Sequence, residues 1–189
     1  MNLNNPQKRS NLSVLIIFNL SAFLISACAT TTVKQETISE TESCNRLHGI
    51  IKDHPNQFGS FKKAKVLHKS YDSWTANKII PSAQECQVWE WSTGLTNYAC
   101  EWEATGGEAQ AIANYDEASR IVQTCLGDAW TNTTHTTQSG GKQTIYSNAN
   151  LPTVISIRYF KDTGGWDFLN SWYDSIIIGD KNNLKSPLN

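Results

Sequence analysis

Apolar positions change their spacing several times along this chain, and each change marks an element. Residues 12–27 form a nearly continuous apolar run, broken only by Ser13, Asn19, Ser21 and Ser26, with Lys8 and Arg9 ahead of it. Residues 29–40, ATTTVKQETISE, carry no apolar period. Ser39 with Glu42 three residues on has the form of a capping box, and Cys44, Leu47 and Ile51 then recur at helical spacing until Pro55, so a short helix should end near Asp53. Residues 66–71 and 74–80 read as strands on either side of Asp72-Ser73. The next alternation is sharper. Gln87, Trp89 and Trp91 share one face and Cys86, Val88 and Glu90 the other; after Ser92-Thr93-Gly94, Tyr98, Cys100 and Trp102 alternate with Ala99, Glu101 and Glu103. That pattern predicts a hairpin centred on Thr93, with Cys86 opposite Cys100 and Val88 facing Tyr98.

Thr105 and Glu108 repeat the capping-box form. Ala111, Tyr115, Ala118, Val122, Cys125 and Leu126 then keep one helical face until Gly127, which predicts a helix over 106–126. Residues 131–142, TNTTHTTQSGGK, are polar and contain glycine, the composition of a surface loop. Residues 144–146, 153–160 and 172–178 read as strands, with turns at 148–152 and 163–165, and the chain from Lys181 onward as a loose tail. The order helix, strands, helix, strands predicts an α+β domain over 41–180. In it an antiparallel sheet of hairpins packs against one main amphipathic helix, with a short N-terminal helix beside it. No period of 20 to 50 residues repeats.

A length of 189 residues suits one ordinary globular domain. Charged residues are 17% of the chain, below the roughly 25% usual for soluble domains, while seven Trp, six Tyr and six Phe supply bulky core material, which excludes disorder of the whole chain. A net charge of -1 and a pI near 6.4 provide no field for gripping a phosphate backbone, so nucleic acid is not the expected partner.

The first apolar run is shorter than the about 20 residues a spanning helix needs, and its charged start and short apolar core have the layout of a secretory signal. It closes with Leu24-Ile25-Ser26-Ala27-Cys28. Here the chain resembles the bacterial lipoproteins, whose lipobox sets a branched apolar residue and two small residues before the modified cysteine. The resemblance covers residues 1–28. It implies that signal 1–27 is removed, that the Cys28 thiol carries a diacylglyceryl thioether, and that the new amino group is acylated too. It also implies that a chain with Ala29 rather than Asp after the cysteine passes to the outer membrane, facing the periplasm. At about 0.8 kcal/mol per buried CH2, two or three acyl chains hold a protein durably where one does not. Loss of Lys8 and Arg9 with the signal moves the net charge from -1 to -3. Residues 28–40 then serve as lipidated terminus and tether, reaching on the order of 40 Å when extended.

With Cys28 assigned to lipid, Cys44, Cys86, Cys100 and Cys125 remain. An even number in an oxidising compartment indicates two disulfides, and no C-x-x-C is present to suggest a redox site or a zinc ribbon. Four cysteines allow three connectivities. The hairpin register favours Cys86 with Cys100, leaving Cys44 to join Cys125 between two helices.

Catalytic chemistry is hard to find. His48 and His54 are six residues apart, off a common helix face; His68 and His135 stand alone, His135 in the Thr-rich stretch. No H-E-x-x-H, G-x-S-x-G, S-x-x-K, G-x-x-x-x-G-K or G-x-G-x-x-G occurs, so no metal or other cofactor is indicated. Glu101 and Glu103 share a strand face, the raw material for glycosidic acid and base, though solvated carboxylates are the ordinary reading of such a face. The even cysteine count leaves no thiol nucleophile. What stands out is the aromatic load: Trp74, Trp89, Trp91, Trp102, Trp130, Trp166 and Trp172. Aromatic platforms stack on sugar rings or anchor protein partners, and they also fill small cores. Trp89 and Trp91 are the candidate binding pair. The expected protein is a lipid-anchored, non-catalytic component of the cell envelope, held at the membrane by its anchor and binding a protein partner or an envelope glycan. A small periplasmic hydrolase of cell-wall material and an immunity protein against a toxin are the alternatives.

Overall fold

Ser39 opens the first helix, α1 (Glu40–Asp53), by accepting a hydrogen bond from the Glu42 backbone N–H at 3.2 Å. This meets one of the donors that every helix start leaves unpaired. Leu47 and Ile50 of α1 are fully buried, as its apolar spacing requires. The computed structural model describes residues 38–68, 70–102, 107–162 and 171–184, all within the unit Lys34–Asn189. Cys28, Glu103, Thr105, Trp166 and the turn expected at 163–165 lie outside the described residues.

The architecture is mixed α and β, built on one large antiparallel sheet. Its strands are β1 (Lys65–Val66), β2 (Asp72–Thr75), β3 (Glu85–Glu90), β4 (Thr96–Glu101), β5 (Trp130–Thr136), β6 (Lys142–Asn148), β7 (Thr153–Lys161) and β8 (Trp172–Asp180). In space they run β1-β2-β3-β4-β8-β7-β6-β5, so the last strand enters between β4 and β7 and joins two meanders. The second helix, α2 (Glu108–Cys125), connects those meanders, and a short α3 (Lys181–Leu184) follows β8.

One face of the sheet carries Val88, Tyr98, Ile155, Ile157, Ile176 and Ile178 into a single buried cluster with Leu47 and Ile50 of α1 and with Ala111, Ala118 and Val122 of α2. Polar links pin α2 there: the Tyr115 hydroxyl bonds the Thr144 hydroxyl, Tyr146 Oη donates to the Ser119 carbonyl at 3.4 Å, and Asn114 Nδ2 donates to Asp174 Oδ2 at 2.8 Å. Cys44 joins Cys125, tying α1 to α2, and Cys86 joins Cys100 across the β3–β4 hairpin. Those are the two pairs the hairpin register favours, with Val88 opposite Tyr98. Gln57 and Phe58 both adopt left-handed backbone, at φ 57 and 55, each at a cost of about 1 kcal/mol. The turn they make drives the Phe58 ring into the core, stacked on His54 at 5.2 Å.

Several expected elements are different. The strands read at 66–71 and 74–80 are instead the short β1 and β2, and Asp72-Ser73, whose composition suggests a turn, starts β2. Ser73 is fully buried and donates its hydroxyl to the Val66 carbonyl at 3.3 Å, so pairing with β1 and β3 overrides its local preference. Ile79 and Ile80 are core residues supplied by an irregular segment. Its carbonyls are met by the Tyr98 hydroxyl at Asn77 and by Arg46 Nη1 at Lys78, 2.8 Å away, as a buried loop requires. The 131–142 stretch is not a loop but β5, a five-residue turn and the start of β6. Thr suits a pleated strand, and at a sheet edge exposed on both sides no apolar alternation marks it. The N-cap of α2 is Gly107, with no side-chain cap, rather than Thr105. Residues 181–184 are not loose: the Leu184 side chain, 3% exposed, packs with Ala99, Ile145, Val154 and Ile177.

Candidate functional site

The β3–β4 hairpin turns through Trp91-Ser92-Thr93-Gly94-Leu95. Trp91 N–H donates to the Leu95 carbonyl at 2.9 Å and Gly94 N–H to the Trp91 carbonyl at 2.8 Å. Gly94 sits at φ 80, a conformation only glycine takes at little cost, and closes the turn with a bulge. Because side chains alternate, fixing Cys86, Val88, Tyr98 and Cys100 toward the helices sends Trp89 and Trp91 to the opposite face of the sheet.

There they join a cluster. Tyr71 lies 5.5 Å from Trp89 and 4.8 Å from Trp91, the two indoles meet edge to face at 6.3 Å, and His68 stacks on Tyr71 at 3.8 Å. Each indole N–H has a partner. Trp89 Nε1 donates to Gln87 Oε1 at 3.0 Å, and with the Asn97 amide turned to satisfy both its ends, Trp91 Nε1 donates to the Asn97 oxygen at 3.0 Å while the Asn97 NH2 donates to the Thr96 carbonyl at 3.1 Å. Asn97 can lie flat over β8 because its neighbour there is Gly179; any Cβ at that position would collide with the Asn97 amide. Trp91 is 37% exposed, as is Leu95.

These residues wall a cavity of about 430 Å³ lined by Trp89, Trp91, Leu95, Ile177 and Leu184, with Ser92, Thr93 and Asn97 at its polar side and Arg158 in its wall. Arg158 Nε donates to Ser175 Oγ at 3.0 Å, and the guanidinium lies 4.9 Å from the Phe160 ring centre. Burial pulls the Arg158 pKa below its ordinary value, and attraction to Glu101 pulls it back. Glu101 is pushed above the ordinary carboxylate range by partial burial and by Glu85 directly opposite on β3, with Arg158 opposing the rise. Beyond Trp91 and Ser92, which they share, a second and more polar concavity of about 450 Å³ is lined by His68, Ser70, Tyr71, Asp72 and Glu90. Asp72 there pairs with Lys65 at 2.9 Å, and Glu90 with Lys62 at 2.7 Å.

The remaining candidates are dispersed. His48 Nε2 hydrogen-bonds the Cys125 carbonyl at 2.7 Å, His54 Nδ1 the Thr153 hydroxyl at 2.7 Å, and His135 lies on β5. Among the described residues no three of His, Cys, Asp and Glu gather in a way that could hold a metal, and no helix is long and apolar enough to cross a membrane. The sequence pattern marks Trp89 and Trp91 but gives no sign of Tyr71, Asn97 or Leu184. Arg158 left one readable signal: a cation in a nine-residue strand, Thr153–Lys161, whose residues 153–157 are all buried. No known protein family, curated protein or solved structure matches this chain.

Proposed function

We propose that this chain is a lipid-anchored protein of the bacterial cell envelope that captures an envelope glycan, without catalysis, in the cavity walled by Trp89 and Trp91. The observation that carries the reading is the cavity itself. Two indoles with satisfied N–H groups line it, and Ser92, Thr93 and Asn97 supply hydroxyl and amide groups beside them. An apolar wall with a few oriented polar groups is the ordinary make-up of a small-ligand site. Among the described residues the cavity lining contains neither histidine nor carboxylate, which favours capture over proton transfer. The Leu24-Ile25-Ser26-Ala27-Cys28 sequence supports the anchor, and Ala29 after it supports delivery to the outer membrane.

Titration of intrinsic Trp fluorescence with soluble cell-wall glycan fragments tests the site. The double variant Trp89→Ala/Trp91→Ala is expected to lose more than about 2 kcal/mol of binding, roughly thirty-fold in affinity, while its melting midpoint falls by less than about 5 °C. A collapse of the folded state would show these rings to be core. Envelope proteins retained only by the unmodified rings, with no glycan binding, would replace the glycan by a protein partner. Anchoring is checked separately. In Cys28→Ser, lipid labelling is expected to vanish and the chain to leave the membrane fraction, whereas an unmodified Cys28 thiol at the mature terminus, read by intact mass, would refute the anchor.

A further inference from the structure

The two edges of the sheet are treated differently. β1 is an edge of two residues, Lys65–Val66, with Lys62 and Lys63 beside it, and a short lysine-bearing edge is how proteins ordinarily prevent strand-to-strand association. β5 at the other end has seven residues and pairs only with β6. Every residue from Thr131 to Thr136 is exposed, and residues 129–141 contain no Asp, Glu, Lys, Arg or Pro. Among the described residues none of the usual guards against pairing stands on this edge.

Thr137 N–H donates to the Gly141 carbonyl at 3.1 Å at the closed end of the β5–β6 hairpin. Antiparallel ladders alternate, so with Thr136 opposite Lys142, residues 131, 133 and 135 spend their N–H and C=O groups on β6. Asn132, Thr134 and Thr136 therefore direct theirs outward, where they meet no partner among the described residues. The side chain of Thr134 is turned toward β6, its hydroxyl 2.8 Å from that of Thr144.

We propose that β5 is the docking surface for a second copy of this chain, whose own β5 pairs with it antiparallel about a twofold axis through Thr134. In this register Thr134 faces its own copy, Asn132 faces Thr136 of the other chain, and each exchanges both backbone hydrogen bonds, while Thr133 stands opposite His135. A twofold interface sets every residue against its own surface, which a charged strand would resist by like-charge contact. The uncharged β5 does not, and its Thr-rich faces suit cross-strand Thr–Thr pairs. The two eight-stranded sheets become one continuous sheet.

Sedimentation of the full chain in detergent is expected to find a dimer. Thr134→Pro removes an outward N–H that β6 does not use, and should raise the dimer dissociation constant at least ten-fold with little change in melting midpoint. Thr134→Lys sets two like charges on the axis and should do the same without touching the backbone. In the double variant Thr133→Cys/His135→Cys, mild oxidation should link two chains, whereas Thr131→Cys, which this register places opposite Thr137, should not link to itself. A chain monomeric at about 100 µM would overturn the proposal, because such affinity is too weak for a specific dimer. A dimer that survives both Thr134 variants would overturn it as well, as would Thr131→Cys cross-linking as readily as the 133/135 pair.

Discussion

Replacing Cys44 and Cys125 together by Ser should lower folding stability by about 4 kcal/mol, more than the about 3 kcal/mol expected for Cys86→Ser/Cys100→Ser. The difference follows from loop length. Cys44 and Cys125 are separated by 81 positions and Cys86 and Cys100 by 14, so the first bridge removes more freedom from the unfolded chain. The folded structure reinforces the ranking. Besides the bridge and the burial of Leu47 and Ile50, α1 is tied to the rest of the fold by Arg46 Nη1 to the Lys78 carbonyl at 2.8 Å and by His48 Nε2 to the Cys125 carbonyl at 2.7 Å. The second bridge spans strands already paired along the whole β3–β4 ladder. Equilibrium urea unfolding of both variants checks the order, and a loss for Cys44/Cys125 equal to or smaller than that for Cys86/Cys100 would contradict it.

Asp174 should make the folded protein more stable as the pH is lowered from 7, by an amount on the order of 1 kcal/mol at pH 5 and approaching about 3 kcal/mol only below pH 4. His54, whose pKa burial lowers, works in the opposite direction. The Asp174 side chain is 3% exposed, between β8 and α2, and only Oδ2 has a partner, the Asn114 amide; Oδ1 has none. Burial lifts its pKa from 3.8 to about 6, against the lowering effect of that one hydrogen bond. The folded protein thus holds this proton more tightly than the unfolded chain does. The stability cost is absent below about pH 4, grows as the pH rises through the interval to about 6, and stays constant above it. Partial burial and Glu85 shift Glu101 in the same direction, so the single-site comparison is what isolates Asp174. Asp174→Asn keeps an acceptor for Asn114 and discards the buried charge. Its melting midpoint should exceed that of the unaltered protein at pH 7.5, and the two curves should converge near pH 4. Parallel curves across that range would remove Asp174 as the source.

The legible parts of the fold are those whose physical cause is local. Alternation over 86–102 is a property of a dozen neighbouring residues, and it was enough to place the hairpin, pair Cys86 with Cys100, and set Trp89 and Trp91 against Val88 and Tyr98. Helical spacing likewise located α1 and α2 to within a few residues. β5 escaped because an edge strand buries neither face and so leaves no apolar period, and β2 because the pairing that makes Asp72–Thr75 a strand comes from β1 and β3. Leu184 read as tail because its burial depends on the sheet it packs against.

The amino-acid sequence by itself determined the helical periods, the start of α1 at Ser39, the parity of the side chains along β3 and β4, and the even set of cysteines available for pairing. Only the tertiary structure decided that β8 would enter between β4 and β7. That choice brings Ile177 and Arg158 into the wall shared with the two indoles, sets Gly179 against Asn97, and turns an aromatic face into a cavity. The reason is that strand order is set by contacts between residues some eighty positions apart, such as Asn97 with Gly179, whose free energy depends on the whole packed sheet and not on any window of the chain.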